Sequence, residues 1–422
     1  MATPDGWGTR PLGDAGEWLS GGTPSKSDET MWKGALPWVS PKDMKRARIG
    51  DAEDHVGEDA VGNGTRLVPP DTLLMVVRGM ILAHTFPVAI TTRPVTFNQD
   101  IKALRPSADF DPEFLLQWLQ SAEEEVLRLV DVSNHGTKRL PTERLFAAPV
   151  PLPPLPEQRK IAAILSSIDE TIEKTEAVIA QLQVVKKAMM QELLTRGMPG
   201  RHTRFKQTEI GEIPEGWEIV PIGDLGTVSY GLTVNQQRRE ATAQAPYLTV
   251  ANLQADGFIL DVVKEIGVLP GDRARYECQS GDVLLVEGNA NIERLGRAAV
   301  WRGEIPGAMH QNHLIRVRVD VKRIAPAWLM YWLHGRSGRE QIEAQAKTSS
   351  GLNTINSTVV SEVKVALPSV DEQHRIDDAA SSMDRRLRSE ASAVDALRRT
   401  KTMLSSALLS GDLRVTPDSV AP

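Results

Sequence analysis

Apolar residues recur at Ile161, Leu165, Ile168, Ile172, Ile179, Leu182, Met189 and Leu193, in steps of four, three and their sum. That spacing is the stripe of a helix packing lengthwise on a partner helix. The stretch from Leu152 to Gly197 therefore reads as one long helix. Pro153, Pro154 and Pro156 suit an extended approach and a first turn, where a missing N–H costs nothing, and Gly197 with Pro199 supplies the stop. At about 1.5 Å per residue such a helix would be roughly 60 Å long, more than the core of a compact domain requires. It spans something, or separates two things.

A second stretch, Leu367 to Gly411, repeats the first. Glu157-Gln158 returns as Glu372-Gln373, an offset of 215 (372 − 157). At that offset Ile161 falls on Ile376, Ile168 on Met383, Ile172 on Leu387, Ile179 on Val394, Leu182 on Leu397, Met189 on Leu404 and Leu193 on Leu408. Ser369 and Glu372 have the spacing of a capping box, in which each satisfies the other's orphan backbone donor. Two unrelated amphipathic helices are the plainer reading, but they would not share register over seven positions. The economical arrangement is antiparallel packing of the two helices about a pseudo-two-fold axis, with a globule at each end.

The repeat continues outside the helices. Gly6-Trp7 and Pro11-Leu12-Gly13-Asp14 match Gly216-Trp217 and Pro221-Ile222-Gly223-Asp224. LPWVSPKDM (36–44) faces APYLTVANL (245–253), each a strand leading into a polar segment; PDTLLMVVRG (70–79) faces GDVLLVEGN (281–289), a buried strand between turns. PEFLLQWL (112–119) and PAWLMYWL (326–333) read as short helices opened by proline, and SNHGTKRL (133–140) and SSGLNTIN (349–356) as glycine-bearing polar loops. The fold class is thus mixed α/β: two tandem pseudo-repeated globules and two long helices packed as an antiparallel coiled coil. The expected boundaries are 1–152 for the first globule, 153–197 for the central helix, 198–214 for a polar connector, 215–367 for the second globule, 368–411 for the distal helix and 412–422 for a tail. The offset drifts from 210 to 215, so insertions lie inside the globules and not in the helical frame. SGGTPSKSDETMWKG (20–34) has no close match in GLTVNQQRREATAQ (231–244): one reader built twice, with different lips.

Composition narrows the function. A chain of 422 residues is too long for one ordinary core. The single cysteine, Cys278, excludes an internal disulfide and a cysteine-rich zinc site and reads as an inert packed thiol. No stretch approaches eighteen uninterrupted apolar residues and the N-terminus lacks a signal-peptide pattern, so a cytoplasmic location without membrane contact is expected. The formal net charge of −6 is awkward for a lone nucleic-acid binder. Either basic residues cluster locally or a partner supplies charge.

No catalytic constellation is visible: no phosphate loop, no GxSxG elbow, no HExxH pair. Of the scattered histidines only His310 and His313 are close, and AMHQNHLI (308–315) lies opposite VTFNQDIK (95–102), which has none. They read as strand-end residues and not as a metal pair. Glu123, Glu124 and Glu125 read as a solvated helix face. Gly21, Gly22 and Gly351 read as turn residues needing positive φ.

Basic residues interleaved with hydrogen-bonding side chains are the better lead. In the first globule Lys42, Lys45, Arg46 and Arg48 follow a strand, Lys138 and Arg139 sit beside Thr137, and Lys26 and Ser40 belong to the GGTPSK and LPWVSPKDM segments. In the second, Asn235, Gln236, Gln237, Arg238 and Arg239 combine amides, whose paired donor and acceptor match adenine, with arginines suited to guanine or phosphate. Asn289, Asn291 and Arg294 form a similar loop, and Asn353 and Thr354 another. An ordinary solvated loop is the alternative at each place.

With the duplicated globules, the two EQ-initiated helices, GGTPSK, LPWVSPKDM, LPPLPEQ and the connector TEIGEIPEGW in view, the chain closely resembles the specificity subunit of type I restriction-modification enzymes over nearly its full length. The resemblance implies that each globule is a target-recognition domain reading one half of a split double-stranded DNA site. It implies that the paired helices act as spacer and as docking surface for two methyltransferase subunits. Those partners bind S-adenosylmethionine and methylate adenine, while further motor-nuclease subunits cleave unmodified DNA. No metal, cofactor or catalytic residue is then expected in this chain. The second helix departs from the first in being more polar, with Ala380 where the first has Leu165. Two other readings stay open from the residues alone: a coiled-coil interaction scaffold without DNA readout, and an unrecognised hydrolase.

Overall fold

The computed structural model describes residues 4–132, 136–254, 257–349 and 351–416, with the Ser349 side chain left aside. Expectations for residues 1–3, 133–135, 350 and 417–422 lie outside that set. The chain divides into two compact units, 1–177 with 390–422, and 178–389. This division cuts through both long helices, so each unit holds one globule and half of each helix.

In the first unit a five-stranded sheet runs, in spatial order, Gly16–Ser20, Ile101–Pro106, Leu73–Val76, Val88–Thr91 and Arg48–Ile49. A four-stranded sheet runs Asp54–Val56, Leu36–Val39, Val95–Phe97 and Arg66–Val68. The LLMV strand is buried at every position, as its uninterrupted apolar run demands of a strand covered on both faces. Helix Pro112–Ser121 starts where the sequence placed it: Pro112 needs no N–H in the first turn, and Asp111 caps the Phe114 N–H.

The second unit repeats this plan. Gly226–Tyr230, Leu314–Val319, Val283–Val286 and Ala298–Val300 form one sheet, and Lys264–Gly267, Gln244–Leu248 and Met309–His310 another. Its core is richer in tryptophan. Trp328 and Trp332 donate to the Ala366 and Lys364 carbonyls at 3.0 and 2.9 Å, and Trp217 packs edge-on against Trp328. Cys278 is buried here, and burial pushes its thiol up to about 12.

Helices Leu155–Arg196 and Val370–Ser410 span 42 and 41 residues. Every stripe residue named above is buried or half-buried, while the positions between them are largely exposed. In the first unit Ile161 and Leu165 share a core with Leu408, and Lys401 and Arg398 pair with Asp169 and Glu176. In the second, Leu193 shares a core with Ile376, and Lys186 pairs with Asp384. Numbers rise along one helix as they fall along the other, so the pairing inside each unit is antiparallel.

The EQ motif now has a physical reason. The Gln158 side chain accepts from the Asp111 N–H at 2.8 Å and donates to the Asp109 and Pro153 carbonyls, both at 2.9 Å. Gln373 does the same for Ala325, Arg323 and Pro368. Both glutamines are fully buried, so each fixes the start of a long helix to the start of a short one.

One expectation is corrected. The Ser369 capping box is half made: Ser369 receives the Glu372 N–H at 3.4 Å, but the Glu372 carboxylate takes the Met198 N–H and His202 instead of closing the box. Within the connector Phe205–Thr208 and Gly211–Pro214 pair as a hairpin turned at Glu209 and Ile210, and it buries Ile213 in the second core.

Candidate nucleic-acid interface

In the first unit Leu36–Val39 runs parallel to Val95–Phe97, and the chain then turns through Asn98, Gln99 and Asp100. Four backbone bonds hold the turn: Asn98 N–H to Val39, Gly22 N–H to Phe97, Ile101 N–H to Asn98 and Val77 N–H to Asp100. The second unit makes the same four, from Gln311 to Leu248, Leu232 to His310, Leu314 to Gln311 and Glu287 to His313. One backbone frame thus presents Asn-Gln-Asp in one unit and Gln-Asn-His in the other.

Gly21 and Gly231 occupy matching places against this turn. A Cβ on Gly21 would sit 2.2 Å from the Asn98 carbonyl, and one on Gly231 2.0 Å from the His310 carbonyl. Close approach, and not positive φ, is what requires glycine at position 21, and neither Gly21 nor Gly22 has positive φ; Gly351 does, at +77°.

The glycine-bearing loops come to the same place. Leu140 N–H bonds Val77 and Gly79 N–H bonds Lys138, and in the second unit Ile355 N–H bonds Glu287. Gly288 and Asn289 pair with Thr354 and Asn353, whose amide also donates to the Asn289 and Ala290 carbonyls. These strands and the Gln311 turn enclose an open cleft of about 630 Å³ lined by Gln311, His313, Glu287, Lys347, Thr354 and Asn356, among others.

The predicted residues fall into two groups. Several are engaged inside the fold. Ser40 is buried and its N–H and hydroxyl both go to Asp43. Arg238 grips Asp272, with both side chains nearly buried, and that carboxylate holds the guanidinium above its ordinary range. Asn235 caps Arg238, Gln236 bonds Glu240, and Asn291 caps Glu293. Asn289 caps Asn291, and Thr354 donates to the Lys347 carbonyl. Lys42 is exposed but sits between Asp54 and Glu53. In contrast Lys26, Lys45, Arg46, Thr137, Lys138, Arg139, Gln237, Arg239 and Arg294 make no side-chain hydrogen bond or ion pair within the described residues. His310 and His313 part company: His310 is buried, its ring pushed down to about 4 by burial, and His313 meets Glu287 at 2.7 Å. Glu123 is not simply solvated, since it accepts from Thr85 and the Phe86 N–H.

A family model described as the type I restriction modification DNA specificity domain matches this chain twice, at residues 4–184 and 214–394. The chain belongs to that family. The specificity subunit of the type I restriction enzyme EcoR124I/EcoR124II of Escherichia coli is 35% identical over 160 residues, 37% of this chain and 40% of that relative. The MjaIX specificity subunit of Methanocaldococcus jannaschii is 29% identical across 59% of each chain, and its MjaVIII specificity subunit is 23% identical across 98% of this chain and 95% of the relative. Among solved structures, a chain from work on complex assembly and conformational transition of the type I R-M system superposes with a TM-score of 0.61 at 18% identity, over 98% of this chain and 100% of the other. The type I S subunit of M. genitalium gives 0.57 at 14% identity, over 99% and 98%.

Each matched segment of the specificity-domain family carries one such turn with its neighbouring loop. The sequence reading passed over Arg78, Gln99, Gln311 and Asn312, which stand at or beside these turns. The signal was present: VTFNQDIK lies opposite AMHQNHLI, each with a polar centre before an apolar residue (Ile101, Leu314), and the centres differ between the halves.

Proposed function

We propose that the chain is the DNA-specificity subunit of a type I restriction-modification complex. Each globule reads one half of a bipartite double-stranded site, and the long helices set the spacing and dock two methyltransferase subunits. Those partners bind S-adenosylmethionine and methylate adenine, and motor-endonuclease subunits join for cleavage. The chain itself contributes recognition and no catalysis. The observation that carries this reading is the duplicated turn, one hydrogen-bonded frame offering different side chains in each unit. A protein reading two different half-sites needs that combination of shared scaffold and divergent contacts.

The test is sequencing of adenine methylation in cells carrying this chain with its methyltransferase, against cells lacking the chain. A split motif that depends on the chain, and whose one half changes when residues 216–368 are exchanged for another globule, supports the reading. No new methylation beside a proven active methyltransferase overturns it. The scaffold alternative predicts that reversing the charges of Lys42 and Arg239 leaves DNA binding by the assembled complex unchanged.

A further inference from the structure

Half of the polar side chains that look suited to DNA in the sequence are consumed by the fold, as Ser40, Asn235 and Arg238 are. The middle residue of each duplicated turn is different. Gln99 is exposed, and its only side-chain bond among the described residues is the one its carbonyl accepts from the Thr23 hydroxyl, which leaves the amide donor unused. Asn312, at the equivalent place, is partly exposed and its amide makes no side-chain hydrogen bond within the described residues. Its backbone N–H is spent on the Leu232 carbonyl at 3.0 Å, so the main chain beneath the free amide is pinned.

A carboxamide with donor hydrogens to spare, at the centre of a turn whose flanking residues are held by four backbone hydrogen bonds, can pair with an external partner at little cost in loop ordering. The neighbourhood has the character such a ligand needs. In the first unit Arg78, Lys138 and Arg139 lie beside the turn, with Leu140 N–H bonded to Val77 and the Arg78 and Arg139 backbones bridged. In the second, Asn312 stands between the cleft residues Gln311 and His313. Arginine and lysine hold phosphate, and a side-chain amide pairs with a base edge, adenine above all.

Resting on the proposed DNA reading, we propose that Gln99 and Asn312 are specificity-determining residues: each carboxamide contacts a base edge in the half-site read by its own unit. The two units then differ at this position by one methylene, so the shorter Asn312 demands a closer approach of its base than Gln99 does.

Methylation mapping with the full chain and its methyltransferase tests this. Gln99→Ala is expected to relax one position of one half-site by roughly ten-fold or more, and Asn312→Ala one position of the other, each leaving the second half unchanged. The control Gln120→Ala, whose carboxamide accepts from Lys401, is expected to leave both halves intact. The conservative pair Gln99→Asn and Asn312→Gln keeps the amide and is expected to disturb only its own half. An unaltered motif in both alanine variants overturns this inference and leaves the proposed function standing. Absence of any split motif with the unaltered chain overturns both. Uniform loss of methylation in all four variants together with a lowered melting temperature makes the role structural and overturns the inference.

Discussion

Arg414 donates two hydrogen bonds to the carboxylate of Glu157, at 2.7 and 2.8 Å across 257 residues of sequence. The same carboxylate accepts from the Trp7 indole at 3.0 Å, and the guanidinium lies over the Trp7 ring. In the second unit Glu372 takes the corresponding part, held by His202 and the Met198 N–H. In both units the segment after one long helix closes on the glutamate that opens the other.

Arg414→Ala leaves Glu157, 4% exposed, with Trp7 as its remaining side-chain partner. Arg414 is itself part-exposed, so the variant is expected to melt lower than the unaltered chain, by less than breaking a fully buried pair would cost. Burial pushes the Glu157 carboxyl up, but the bonds from Arg414 and Trp7 outweigh it and hold the carboxyl below its ordinary value. A carboxyl depressed in the folded state stabilises fully above the ordinary value of roughly 4.3 and loses that contribution as pH falls through its lower folded value. The gap in melting temperature between the unaltered chain and the variant is therefore expected to be widest above the ordinary value and to narrow as pH falls through the folded value of Glu157.

Gly411 adopts φ +80°, and a Cβ there would lie 2.3 Å from Pro4. Gly200, at +75°, has nothing within 4 Å. Alanine at 200 is expected to cost about 1–2 kcal/mol from backbone conformation alone. Alanine at 411 is expected to cost measurably more, because Pro4 and the backbone at 411 must also move apart. Denaturant unfolding of the two variants separates the effects.

Gln158→Leu removes three hydrogen bonds and leaves the Asp111 N–H and the Asp109 and Pro153 carbonyls without that partner. An expected loss of roughly 2–4 kcal/mol follows from the desolvation of those groups, measurable by chemical denaturation.

Arg239→Ala and Arg238→Ala should behave differently despite being neighbours. Arg239 is exposed, and its loss is expected to weaken DNA binding by the assembled complex uniformly across sequences, lowering the salt slope of log K by about 0.9. Arg238 holds Asp272, so its loss is expected to appear as a lower melting temperature of the chain.

Removing seven residues from each long helix, at matched positions, shortens both by roughly 10 Å. If the helices set the spacing, methylation mapping is expected to return a spacer shorter by about three base pairs at 3.4 Å each. An unchanged spacer would count against the ruler.

Periodicity and internal repetition were enough to locate the long helices, their stripe from Ile161 to Leu193 and from Ile376 to Leu408, and the paired strands LLMV and VLLV. These features depend on local spacing, which a linear sequence carries in full. The repeat by itself also sets His310 opposite Phe97. Which polar residues face outward was another matter. Arg238 and Arg239 are adjacent and chemically identical in sequence, yet one is bound to Asp272 and the other is exposed. That difference is set by a residue thirty-four positions away, and long-range pairing leaves no mark on local pattern. The same holds for Glu157, whose partner lies near the far end of the chain, and for the turn at Gln99 and Asn312, whose frame is built by strands distant in sequence. Hydrophobic spacing specified the elements; only their packing decided which hydrogen-bonding groups were consumed within the fold and which were left for a ligand.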